Sequence, residues 1–253
     1  MSPAEQFPLY HPPGAQRAFG SDDATRRFAK VAQLEQGSRV LVLGCGPEGG
    51  AAVLLAQELK CSVVAVDTDE TLVSPVRERV RSQGLSDRIE VRRVAPDALG
   101  MLDGPFHGIL VPGRVQYPLD VSLRVFRPLL GKRGRVGFTF PARVGRFTPK
   151  PVLDFWEKRL GAPLLLPREL LQALETSGFE PESVESLHDT ELDALYKDME
   201  ANLPEGASPE SATFREELAL HREHNQRPGV SYAFAVGRRK EPGEKPPASR
   251  DRG

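Results

Sequence analysis

One run constrains this chain more than any other: Val40-Leu41-Val42-Leu43-Gly44-Cys45-Gly46-Pro47-Glu48-Gly49. Residues 39–43 form a short, β-branched apolar segment, as expected of a strand buried on both faces. The segment ends in a glycine-rich turn, and a helical pattern begins near Gly50. That order brings the free N–H groups and positive dipole end of a helix to the end of a strand, where a ligand can be held. Glycine allows the sharp turn and the close approach of a ligand to the backbone. Gly44, Gly46 and Gly49 also fit the G-x-G-x-x-G spacing that dinucleotide-binding folds use.

The rest of the chain repeats the alternation. Further strands are expected at residues 62–66, 89–94, 108–111 and 135–140, with helices at 51–59 and 121–130. Ser74-Pro75 reads as an N-cap followed by proline at the first helical position. That helix runs towards Gln83, and Gly84 suits the position just past its end. Beyond residue 150 the spacing predicts helices at 152–160, from Pro167 to Gly178, from Asp189 onward and from Ser208-Pro209 towards His224. Strands are expected at 182–187 and 230–236. Strands alternating with helices argue for an α/β fold with a mostly parallel sheet covered on both faces.

Composition narrows the class. The 253 residues are 39 % hydrophobic, enough for one large domain, and the net charge of -1 gives no sign of a nucleic-acid partner. The two cysteines, Cys45 and Cys61, fall in strand or turn patterns and read as reduced thiols of a cytoplasmic protein. Residues 1–20 lack the apolar core of a signal peptide, and no stretch is long and apolar enough for a membrane span. The expected organisation is an N-terminal arm or lid (1–30), a main domain (31–237) with a helical insertion (189–225), and a charged, Pro- and Gly-rich disordered tail (238–253).

Asp67 follows the second strand, about twenty residues past Gly44, where a carboxylate can accept hydrogen bonds from ribose hydroxyls. Asp97-Ala98 follows the third. With this order in place, the chain resembles the class I S-adenosylmethionine-dependent methyltransferases, in particular those acting on small molecules. The resemblance rests on the strand-end Leu43-Gly44-Cys45-Gly46 turn and on Gly84-Leu85-Ser86-Asp87-Arg88-Ile89 leading into the third strand. It rests also on Asp97-Ala98, on the run from Phe126-Arg127-Pro128 to Gly134, and on Gly178-Phe179 before the sixth strand. It spans roughly residues 34–239.

The resemblance implies a Rossmann-like sheet of seven strands with helices on both faces and an antiparallel last strand. It implies S-adenosylmethionine as cofactor, methyl transfer as activity and a small-molecule acceptor. Gly44, Cys45, Gly46 and Gly49 would then wrap the methionine part. Asp67 would hold the ribose, Thr68, Asp97 and Ala98 would border the adenine, and Val111 with Arg114 would line the methyl-donor side. The chain departs from the family pattern in three places. Val42 stands where an acid is usual, Phe106-His107 replaces a Phe-Asp pair, and the glycine loop is one residue longer through Pro47-Glu48. Val42 and His107 motivate a second reading, a cofactor-binding or regulatory protein without turnover. The glycine spacing motivates a third, a nicotinamide-dependent oxidoreductase.

The acceptor side carries fewer signals. Gln116 and Tyr117 face the acceptor or belong to an ordinary loop, and Tyr10-His11 forms part of a lid or of a plain ordered arm. The segment after the fourth strand lacks the Asn/Asp-Pro-Pro-aromatic loop of enzymes that methylate nucleobase or glutamine amines. His221 and His224, with Glu217 four residues before His221, read as a solvated helix face rather than metal ligands. Phe155-Trp156 reads as core. Leu192, Leu195, Tyr196 and Met199 form an apolar helix face that needs a cover, and the cofactor crevice is its expected place.

Overall fold

The computed structural model describes residues 22–46, 48–114, 119–201, 209–224, 227 and 229–241. The chain runs α1 (Asp22–Val31), β1 (Arg39–Leu43), α2 (Gly50–Glu58), β2 (Ser62–Asp67), α3 (Glu70–Ser82), β3 (Ile89–Arg93) and a 3-10 turn (Pro96–Met101). It continues with β4 (Phe106–Arg114), α4 (Leu119–Leu129), β5 (Leu130–Arg143), α5 (Lys150–Leu160), α6 (Pro167–Thr176), β6 (Phe179–Ser186), α7 (Asp189–Ala201), α8 (Pro209–Glu223) and β7 (Val230–Arg239).

The strands form one sheet in the order β3-β2-β1-β4-β5-β7-β6. β1 pairs in parallel with β2 and β4, as do β2 with β3 and β4 with β5, and β7 is antiparallel to β5 and β6. The seven strands and the reversed seventh match the expectation from element order and resemblance.

Alternation along the strands divides the core in two. Val40, Val42, Val63, Ala65 and Leu110 face a cluster with α1, α2 and α3. Leu41, Leu43, Val64, Val66, Ile109, Val111, Phe138 and Phe140 face a larger one with the later helices.

Several boundaries differ from the sequence reading. Residues 22–30, expected in the arm, belong to α1 (Asp22–Val31), and Phe28 on it is fully buried. Its ring lies over Gly108 and Gly137: a Cβ on Gly137 would stand 2.5 Å from Phe28, so α1 can settle there only because the strand is bare. Helix α3 starts at Glu70, not at Pro75. Asp69 caps it by accepting from the N–H of Thr71 at 2.8 Å, and Pro75 lies inside the helix. Strand β7 continues to Arg239, so the tail begins later than residue 238; Arg238 is buried against Glu180. Residues 242–253 and 1–21 lie outside the described residues.

The helix ends follow local chemistry. Gly84, at φ 66°, closes α3, with Leu85 N–H returning to Val80 at 2.9 Å and Gly84 N–H to Arg81. Gly161, at φ 64°, ends α5 in the same left-handed conformation.

Candidate cofactor site

The strand order reverses between β1 and β4, and ligands of open α/β sheets bind outside the strand carboxyl ends at such a point. Here β1 ends at Leu43, β2 at Asp67 and β4 at Arg114. The turn after β1 is fastened to the end of β2: the N–H groups of Gly44 and Cys45 both donate to the carbonyl of Val66, at 2.8 and 3.1 Å. Gly44, Gly46 and Gly49 all have positive φ, 74°, 63° and 59°. The turn therefore has a shape that side-chain-bearing residues resist. Gly49 is also the N-cap of α2 and offers no side-chain acceptor, so that helix presents its first N–H groups towards the crevice.

Asp67 is fully buried at the centre of this arrangement. Its Oδ2 accepts from Gly46 N–H at 3.2 Å and its Oδ1 from Thr68 N–H at 2.7 Å. The carboxylate thus ties the glycine loop to the end of β2, and an ionised carboxylate has further acceptor positions beyond those two. The Cys45 thiol is pushed up to about 12, first by burial and then by the charge of Asp67. It stays protonated near neutral pH and is no nucleophile.

The other anticipated residues spread along the same edge. Asp97, exposed, and Ala98, half-buried, sit on the 3-10 turn beyond β3. Val111 is buried in β4, and the β4–β5 register shifts between Val111 and Arg114, a bulge at the end of the strand. The backbone of Arg114 pairs with Thr139. Tyr10, His11, Gln116 and Tyr117 lie outside the described residues.

Two departures from the family pattern have a local explanation. Val42 is fully buried in the apolar cluster of α1 and α2, where it completes the packing. His107 lies at the opposite end of β4 from the site. There its Nδ1 accepts the N–H of Arg39 at 2.9 Å, a structural bond at the sheet's other edge.

Several partners were not foreseen. Arg79 on α3 donates to the carbonyl of Glu48 in the loop at 2.7 Å, and Arg93 donates to the carbonyl of Thr68 at 3.2 Å. Glu217 and His221, expected on a solvated face, are buried. Glu217 Oε1 accepts from the hydroxyls of Tyr196, at 3.0 Å, and Tyr232. His221 stacks on Tyr196 with ring centroids 4.0 Å apart, and its Nε2 stands 3.3 Å from Asp193. The apolar face of α7 is thereby covered: Leu192, Leu195 and Tyr196 share a cluster with Phe155, Trp156, Phe214, Leu218 and Tyr232. A separate groove of about 610 Å³ opens along the β5, β6 and β7 ends, lined by Val144, Phe147, His188, Leu192, Arg227 and Val230 among others.

Residues 40–129 match the family model of a methyltransferase domain. No curated protein matches the sequence. Solved structures match the fold over most of the chain. One is the [4+2]-cyclase SpnF, with TM-score 0.67, 20 % identity and coverage of 87 % of this chain and 80 % of that one. Another is a putative sarcosine dimethylglycine methyltransferase from Galdieria sulphuraria, with TM-score 0.67, 19 % identity and coverage of 87 % and 85 %. A third is a SAM-dependent methyltransferase from Thiobacillus denitrificans in complex with S-adenosyl-L-homocysteine, with TM-score 0.66, 15 % identity and coverage of 88 % and 96 %.

Proposed function

From a chain that has the class I S-adenosylmethionine-dependent methyltransferase fold and a methyltransferase domain over residues 40–129, we infer a methyltransferase that uses S-adenosylmethionine on a small-molecule acceptor. The observation that carries this reading is the buried Asp67, bonded to the N–H of Gly46 and standing beside an uncapped helix start. A positive-φ loop, free N–H groups for a carboxylate and a buried acid for a ribose fit the parts of that cofactor. In this reading Gly44, Cys45, Gly46 and Gly49 wrap its methionine portion. Asp67 takes the ribose, Thr68, Asp97 and Ala98 border the adenine, and Val111 and Arg114 flank the methyl.

When bound, the cofactor supplies an electrophilic methyl on a sulfonium. The residues here orient and enclose. Because the Cys45 thiol is held protonated, the loop's own sulfur does not compete for the methyl. Holding donor and acceptor in line can lower the barrier by roughly 7–11 kcal/mol without a dedicated base. The α7–α8 pair, anchored where Tyr232 pairs opposite Pro141 at the end of β5, forms the acceptor-side wall. Tyr10, His11, Gln116 and Tyr117 are the residues this reading assigns to the acceptor.

A second reading, binding without methyl transfer, is favoured by Val42. Related structures include a cyclase, so the fold serves other reactions. Isothermal titration with S-adenosylhomocysteine and with NAD tests the cofactor. Heat with NAD alone overturns it in favour of an oxidoreductase. Transfer of a labelled methyl to a metabolite panel then separates turnover from silent binding. Among the described residues no helix is long and apolar enough to cross a membrane.

A further inference from the structure

Helix α3 touches both halves of the site. At its start, Asp69 caps the helix two residues after Asp67, so the ribose carboxylate and the helix entrance are one rigid turn. Farther along, its inner face meets the glycine loop. A Cβ on Gly49 would stand 2.6 Å from Val76 Cγ1, so Val76 lies directly against the loop. Next along that side, Arg79 Nη1 donates to the Glu48 carbonyl at 2.7 Å and stands 3.9 Å from the Glu48 carboxylate. Glu48 belongs to the loop's additional length, which the sequence marks as a departure from the family pattern. An added residue gives a loop more conformations to lose on binding. A charged donor on a backbone carbonyl restricts them, because backbone contact does not depend on how the Glu48 side chain moves.

We propose that Arg79 is a positioning residue for the cofactor loop, holding its far half so that Gly46 stays on Asp67 and the start of α2 stays open to the crevice. The inference rests on the cofactor reading above and assigns the loop's preorganisation to a residue outside the motif. Arg79 touches no reacting atom and acts through Glu48. It also lies in the last turn of α3, where any cation complements the helix dipole. A test must separate the two roles.

Arg79→Met keeps most of the stem and removes both charge and donor. Arg79→Lys keeps the charge at the helix end and one donor. Three measurements are made on each full-length variant: S-adenosylhomocysteine affinity by titration, amide exchange of the loop peptide over residues 44–53 without ligand, and the melting temperature. For Arg79→Met the expected result is roughly three- to tenfold weaker binding, the scale of a charge-assisted bond discounted for its exposure. Exchange should quicken in the loop while exchange in β1 and β4 is unchanged. Arg79→Lys should recover part of both. Unchanged affinity together with unchanged loop exchange overturns the proposal. So does a uniform rise in exchange across the sheet with a matching fall in melting temperature, which assigns Arg79 a role in helix stability alone. If the wild-type chain binds no S-adenosylhomocysteine, the cofactor reading fails, and the exchange arm still decides whether Arg79 orders the loop.

Discussion

The N–H of Gly46 donates to Oδ2 of Asp67 at 3.2 Å, so the residue assigned to the ribose also holds the loop assigned to the methionine. In the proposed reading one carboxylate serves binding and architecture together. Asp67→Ala should therefore cost more than affinity. It leaves the N–H groups of Gly46 and Thr68 without their acceptor inside a buried site. Each such loss costs about 1–3 kcal/mol, and about 2–4 °C of melting temperature goes with each kcal/mol in a domain of this size. Titration with S-adenosylhomocysteine should show binding at least about tenfold weaker. Asp67→Asn, which keeps one acceptor oxygen, should melt above the alanine variant. An alanine variant that binds as tightly as wild type removes Asp67 from the ribose site.

Gly49→Ala combines two penalties. The backbone is left-handed there, and the new methyl meets Val76. Left-handed geometry at a non-glycine residue costs about 1–3 kcal/mol. Denaturant midpoints should fall accordingly. Adding Val76→Ala should restore the part due to the clash and none of the part due to φ. If the double variant is no more stable than Gly49→Ala combined additively with Val76→Ala, the contact is not the cause.

The Glu217 carboxylate is buried and accepts from two tyrosine hydroxyls, those of Tyr196 and Tyr232. Tyr232→Phe removes one donor from a desolvated charge and should destabilise the fold by about 1.5–3 kcal/mol. Because both hydroxyls meet the same oxygen, Tyr196→Phe and Tyr232→Phe should be non-additive in chemical denaturation. Strict additivity would argue that Glu217 is satisfied elsewhere.

Burial holds the His221 imidazole below its ordinary value of about 6.5, although Asp193 and Glu217 pull it upward; Arg222 adds to the lowering. Tyr196 stacks on the ring and Tyr232 bonds to Glu217 beside it. The unfolded chain therefore takes up a proton that the folded one resists, and stability falls as pH drops below about 6.5. His221→Phe keeps an aromatic ring on Tyr196 and should flatten stability between about pH 7 and pH 5. An unchanged slope in melts across that range would place the titrating group elsewhere.

The reversed last strand followed from the resemblance, and the first two strands were legible because each is an apolar run closed by glycine or acid, Leu43-Gly44 and Val66-Asp67. Buried polar groups were not. Phe214, Glu217, Leu218 and His221 follow the spacing of a core-facing helix stripe, and all four are buried. The polarity of Glu217 and His221 suggested water, while Phe214 and Leu218 beside them carried the contrary signal. Pro75 misplaced the start of α3 because proline favours first turns, whereas the cap is Asp69, three residues after Val66 and within the first turn's reach of Thr71 N–H. Phe28 was hidden in a polar stretch, and its burial depends on Gly108 and Gly137, far off in sequence.

Strand β7 lies between β5 and β6, and among the strands β6 pairs only with β7. During synthesis, then, β5 presents an open edge and β6 has no ladder to join until residues 230–239 have left the ribosome. Any sheet formed before that moment from β1 to β5 would carry an unprotected flank at β5, the kind of edge that templates association between chains. Among the described strands, the one that joins β6 to the rest is the seventh in chain order, so synthesis order works against early closure of the sheet.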